Sequence, residues 1–208
     1  MSAQKLKAII LLGTVREGRL GLRVAKLMQN QLDNAGFETT LFDPLEMKFP
    51  LLFKPLHFYR DKSEVPEWLR RANQQILDAT ATSSCRPSKI AFFSRISFSA
   101  GIVCYSPGKI AFFSRISFSA GIVCYSPGIY GGMRAAMQLR AMLSECGMLT
   151  VSNLFGIPKV HEAIGEKGEP IDPHMVSGAA KLIEQLKWSA DALKNHRSKF
   201  GTPTEPRL

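Results

Sequence analysis

Leu6–Leu12 is an unbroken apolar run that stops at Gly13. A run without alternation suits a parallel strand covered on both faces. After a polar stretch, Leu20, Val24, Leu27, Met28, Leu32 and Ala35 recur at helical spacing, and Gly36 is placed to end that helix. Glu38–Phe42 reads as a second strand, closed by Asp43 and Pro44. Residues 44–65 contain Pro44, Pro50 and Pro55 and predict irregular chain, whereas Pro66 suits the first turn of a helix, PEWLRRANQQILDA. A third strand is due next, but TATSSCRPSK is polar and turn-like. Further on, the pattern predicts a helix over Met133–Cys146, a strand over Leu149–Phe155, a turn at Pro170–Pro173 and an amphipathic helix over His174–His196. Alternating strands and helices with short connections predict an α/β fold. Its doubly wound parallel sheet carries ligand sites at the carboxyl ends of the strands.

The centre breaks this rhythm. Residues 89–108, KIAFFSRISFSAGIVCYSPG, recur unchanged at 109–128. Solenoid repeats diverge and stack in threes or more, so two identical copies are not a solenoid. Within each copy GIVCYSPG reads as a buried strand entering a turn, and the second runs smoothly into IYGGMRAAMQLR. KIAFFSRISFSA joins neither neighbour; it interrupts the junctions Ser88 to Gly101 and Gly108 to Ile129. Gly-Lys can be encoded with a splice donor and Phe-Ser-Ala with an acceptor, so one reading is translated intron. A real tandem duplication is the other. In either case Ile102–Tyr105 is the expected occupant of the third-strand place.

Length and composition narrow the class. A chain of 208 residues fits one domain, expected over 1–196, with 79–128 aberrant and 197–208 a disordered tail. No apolar run reaches the roughly 18 residues that span a bilayer. MSAQKLKAIILLG does not read as a secretory signal, so the expected location is cytoplasmic, without a membrane partner. The net charge of +10 invites a nucleic-acid reading. Much of the excess, however, lies in the acid-free interval between Asp78 and Glu145, where Lys89, Arg95, Lys109 and Arg115 belong to the duplicated segment. No motif interleaves aromatic and basic residues, and no nucleic-acid partner is expected. Cys85, Cys104, Cys124 and Cys146 show no CxxC spacing and read as free thiols. His57, His161, His174 and His196 show no ligand spacing, so no metal is expected.

Two segments carry candidate chemistry. Strand, GTVREGRLG, then helix brings backbone N–H groups and a helix N-terminus to one point, which favours a phosphate. Arg16 and Arg19 add charged donors and Thr14 a hydroxyl. The dinucleotide pattern GxGxxG is absent, as is the GK[ST] of a triphosphate loop. The acidic residues of a phospho-acceptor site are missing from LLGT. The second segment, YSPGIYGGMRAAMQLR, follows a strand. Its Gly128, Gly131 and Gly132 would let backbone amides approach a flat ligand.

Together these segments resemble the NADPH-dependent FMN reductase family, which includes quinone, azo-dye and chromate reductases. GTVREGRLGLRVA is similar to the family's phosphate loop, GSxRxxSxxxxxA, through Gly13, Thr14 and Arg16; Arg19 stands where serine is common. YSPGIYGGMRA is similar to the loop that touches the isoalloxazine ring, and LSECGMLTV continues in the family's manner. The likeness covers about 1–79 and 121–190. The family's TPEYN-like third-strand motif and the SIPPALKNALD segment after it have no counterpart.

The resemblance implies a flavodoxin-like, three-layer doubly wound sheet with a perturbed centre, non-covalent FMN, and a homodimer that pairs into tetramers. It also implies an oxidoreductase that passes hydride from NADPH through FMN to a small-molecule acceptor such as a quinone or free flavin, with no catalytic side chain. By position Gly13, Thr14, Arg16, Gly18 and Arg19 would hold the phosphate. Tyr125, Ser126, Gly128, Tyr130, Gly131 and Gly132 would border the ring. Two alternatives stay open: an inactive, flavin-deficient splice or gene-model variant, and a flavodoxin-type electron carrier.

Overall fold

The computed structural model describes residues 5–48, 50, 59–78, 90–94, 118–145 and 148–200. Its sheet contains β1 (Lys7–Leu12), β2 (Glu38–Phe42), β3 (Ile90–Ser94), β4 (Phe118–Tyr125) and β5 (Met148–Ile157). The helices are α1 (Gly21–Asn34), a single turn α2 (Pro44–Met47), α3 (Glu67–Asp78), α4 (Met133–Glu145), a single turn α5 (Val160–Ala163) and α6 (His174–Phe200). A 3-10 turn, Lys62–Glu64, precedes α3. The strands lie in the order β2-β1-β3-β4-β5, and every adjacent pair is parallel. All five carboxyl ends therefore share one edge.

Alternation along each strand sorts side chains to two faces. Ala8, Ile10 and Leu12 of β1 join Val123 and Tyr125 of β4 beneath α1 and α6. Ile9, Ala120, Ile122 and Cys124 point the other way, toward Ala136, Leu139 and Leu143 of α4. Helix α1 buries Val24, Ala25, Leu27, Met28 and Leu32 on one stripe, then stops at Gly36, whose φ of +89° suits the left-handed turn after a helix.

The third strand departs from the sequence expectation. Ile90–Ser94, IAFFS, pairs with β1 on one side and β4 on the other. Ile102–Tyr105, expected in that place, lies outside the described residues. Connection length supplies the reason. A parallel crossover takes roughly a dozen residues or more, and 95–117 supplies 23 between Ser94 and Phe118. IAFFS is also a short apolar run bounded by Lys89 and Arg95, which suits a strand buried in a parallel sheet. The boundary drawn inside the second copy moves as well, because Phe118, Ser119 and Ala120 belong to β4 together with GIVCY. Ser119 and Ala120 are fully buried, and the Ser119 hydroxyl lies 2.7 Å from that of Ser189 on α6.

Two further bounds change. Strand β5 continues to Ile157, with a bulge where Ala120 pairs with Thr150 and Ile122 with Leu154. Arg140 Nη2 donates to the carbonyls of Val151 (2.7 Å) and Ser152 (3.0 Å), while Gln185 Oε1 accepts from Asn153 N–H (2.9 Å). Those contacts satisfy backbone groups that the bulge removes from the ladder. Helix α6 runs to Phe200, so 197–200 are helical rather than part of a tail; 201–208 lie outside the described residues. Among the described residues no helix is long and apolar enough to cross a membrane.

Candidate functional site

The connection from β1 to α1 is an arch over residues 13–20. Gly18 sits at φ +61°, a region that residues with a Cβ enter at a cost, so a glycine there eases the bend. Val15, Arg16, Glu17 and Gly18 are exposed. Arg16 N–H lies 3.5 Å from Thr14 Oγ1, and the Arg16 guanidinium has no ion-pair partner among the described residues. Arg19 is placed otherwise. Its Nη1 donates to the Thr14 carbonyl (3.0 Å) and to Asp43 Oδ1 (2.6 Å), and its Nη2 donates to Asp43 Oδ2. Asp43, directly after β2, is fully buried; Leu45 N–H also donates to it (3.0 Å), capping α2. Helix α1 begins without a side-chain cap and without an acidic residue in its first turn. Its N-terminal dipole is thus left to favour an anion.

The connection from β4 to α4 is the glycine-bearing turn 126–132, braced against the end of β5. Ser126 N–H donates to the Ile157 carbonyl (3.1 Å), and Ser126 Oγ donates to the Gly128 carbonyl (2.9 Å). Lys159 N–H donates to Gly128 O (3.2 Å) and Val160 N–H to Ser126 O (3.1 Å). Gly131 and Gly132 have φ of +57° and +79°. A Cβ on Gly131 would lie 3.0 Å from Ile157 N, and one on Gly132 would lie 3.0 Å from Tyr125 O. These two glycines are demanded by the turn pressing on the strand ends. That reason differs from the close approach to a flat ligand inferred from sequence. A Cβ on Gly128 would meet only Ser126 Oγ, at 3.9 Å. Ile129 (68% exposed) and Tyr130 (71%) project outward, and the Arg134 guanidinium lies 5.6 Å from the Tyr130 ring centre.

The two connections meet at Gly21, the first residue of α1. A Cβ there would lie 2.5 Å from the Tyr125 hydroxyl and 2.8 Å from Thr14 Cγ2. Thr14, at the start of the arch, and Tyr125, at the start of the glycine turn, therefore face each other across a residue that has no side chain. The Tyr125 ring is buried in the core beneath α1, whereas Tyr130 stands in the open. Sequence reasoning passed over Gly21 and Asp43. Asp43 read only as a strand terminator, and its partner lies 24 positions away.

Cys124, two residues before the turn, is a buried free thiol; burial pushes it from about 9 up to about 11. Cys85, Cys104 and Cys146 lie outside the described residues.

The same architecture occurs in solved structures. The chain is similar to FerB, a flavoenzyme NAD(P)H:(acceptor) oxidoreductase from Paracoccus denitrificans, with a TM-score of 0.60, 17% identity, and 88% of this chain and 97% of FerB covered. It is similar to RosB, solved with a bound 8-demethyl-8-formylriboflavin-5'-phosphate intermediate, with a TM-score of 0.53, 12% identity and coverage of 94% and 81%. An oxidoreductase from Corynebacterium diphtheriae matches with a TM-score of 0.51, 9% identity and coverage of 91% and 99%. The chain shares the fold of these three proteins. No family model matches the sequence. No curated protein matches it.

Proposed function

We propose that this chain is a flavodoxin-like, three-layer FMN-dependent oxidoreductase, similar to the NADPH-dependent FMN reductases. In this reading hydride passes from NADPH through FMN to a small acceptor such as a quinone or free flavin. The observation that carries the proposal is the meeting of Thr14 and Tyr125 over Gly21, which brings the phosphate-type arch and the glycine turn to one place on the carboxyl edge. In an open sheet of order 2-1-3-4-5 the ligand crevice lies at that edge, beside the switch point between β1 and β3.

The residues present fit the cofactor. Gly13, Thr14, Arg16, Gly18 and the amides opening α1 would hold the phosphate. Arg16 is exposed and free of carboxylate partners among the described residues, as a phosphate ligand should be. Arg19 is held by Asp43 and shapes the arch. Ser126, Gly128, Tyr130, Gly131 and Gly132 would border the ring, with Tyr125 buried behind them as a support. Bound FMN supplies the redox chemistry, and the chain supplies binding, orientation and shielding from water. No catalytic side chain is proposed. Exposed Ile129, Tyr130, Met133 and Met137 lie along the glycine turn and the outer side of α4, and they support a homodimer.

The test is direct. The purified chain, reconstituted with FMN and freed of excess by gel filtration, should keep a flavin absorbance band and oxidise NADPH when a quinone is added. A chain that emerges colourless and consumes no NADPH would overturn the proposal.

A further inference from the structure

Arg19 links three places in the fold. Its backbone closes the arch just before α1, its Nη1 reaches back to the carbonyl of Thr14, and its fork grips the carboxylate of Asp43 at the end of β2. Arg19 and Asp43 side chains are only 10% and 0% exposed. A buried carboxylate held bidentately by a guanidinium fixes orientation as well as distance. The pair also cancels its own charge. Glu17 offsets Arg16 along the arch, so attraction for an anion falls to the local placement of Arg16 and of the backbone amides.

We infer that Asp43 and Arg19 are positioning residues. Together they hold residues 14–18 in the shape that presents Arg16 and the opening of α1 to a phosphate monoester, without touching that phosphate themselves. The inference rests on the flavin reading above. It predicts that breaking the pair harms recognition of the phosphate and spares recognition of the ring.

Two variants test it. Asp43→Asn removes the charge and leaves Arg19 without its partner, which endangers folding. The double variant Arg19→Met with Asp43→Leu removes both charges and keeps an apolar filling, so it loses the link to Thr14 without stranding a buried charge; the cap on Leu45 N–H goes with it, and far-UV circular dichroism checks that the fold is kept. Nitrogen relaxation of the amides of Val15–Gly18, measured without flavin, should give rigid order parameters of about 0.8 in the wild type. In the double variant they should fall to below about 0.6. Titration should show FMN affinity reduced at least about tenfold, with riboflavin affinity changed less than about twofold. Unchanged order parameters, or equal weakening of FMN and riboflavin, would overturn the inference. If the wild type binds neither flavin, the flavin reading fails by itself. Relaxation then decides the remainder: loosened amides uphold the pair as the brace of the arch, and rigid ones remove it.

Discussion

Tyr125 and Gly21 stand in a lid-and-floor relationship: the buried tyrosine hydroxyl occupies the space into which any side chain at the start of α1 would grow. Alanine favours a helix interior by about 1 kcal/mol over glycine, yet here its methyl would meet Tyr125 and Thr14. Gly21→Ala is expected to destabilise the fold by about 1–3 kcal/mol in urea unfolding. Tyr125→Phe removes the hydroxyl and makes room. The double variant should be more stable than the sum of the single losses by at least about 0.5 kcal/mol. Simple additivity would show that the two residues do not share that space.

The glycines of the two connections should respond differently. Gly18 is left-handed with open space around it, so Gly18→Ala meets only the backbone cost of about 1–2 kcal/mol. Gly132 is left-handed and also faces the backbone of Tyr125. Gly132→Ala is expected to lose at least about 1 kcal/mol more than Gly18→Ala, because backbone atoms yield less readily than side-chain tips. Denaturant midpoints of the two variants check this order.

Cys124 sets a pH dependence whose sign is fixed. Its thiol is raised from about 9 to about 11 by burial, so the folded chain keeps a proton that the unfolded chain releases. The contribution is intact below about pH 9 and is lost as pH climbs toward 11, by an amount on the order of 2–3 kcal/mol. Cys124→Ala should flatten the fall in stability across that window relative to the wild type. Cys124 should also resist alkylation at pH 8 until the fold opens.

The duplication carries its own expectation. IAFFS and FSAGIVCY are separated by three residues within one copy, too few for a parallel crossover. Strands β3 and β4 therefore require one copy each. Removing residues 89–108 should leave the place between β1 and β4 without a strand, dividing β2-β1 from β4-β5. Loss of a cooperative urea transition, or a transition weakened by several kcal/mol, is expected in the shortened chain. A deletion as stable as the full chain would show that the sheet can be built from a single copy.

The ends of the chain were legible because their pattern is local. Leu6–Leu12 and Glu38–Phe42 carry their strand signals within themselves, and Gly36 marks the end of α1. The third strand was not legible. The same five residues occur twice, and only the length of the connection to Phe118 chooses between the copies. The arch was recognisable from its glycines and arginines, but the different places of Arg16 and Arg19 were not. That difference depends on Asp43, which enters from the end of another strand. Gly131 and Gly132 pack against Ile157 and Tyr125, a contact that depends on where the strand ends lie and is not written in the local pattern.

Chemical-shift mapping with FMN is the measurement that bears most directly on the meeting of the two connections. Adding FMN to the isotopically labelled chain should move the amides of 13–22 and of 125–132 together, with one midpoint, while riboflavin should move the second group more than the first. Shifts confined to one of the two groups, or centred away from the carboxyl edge, would contradict a single site built from both.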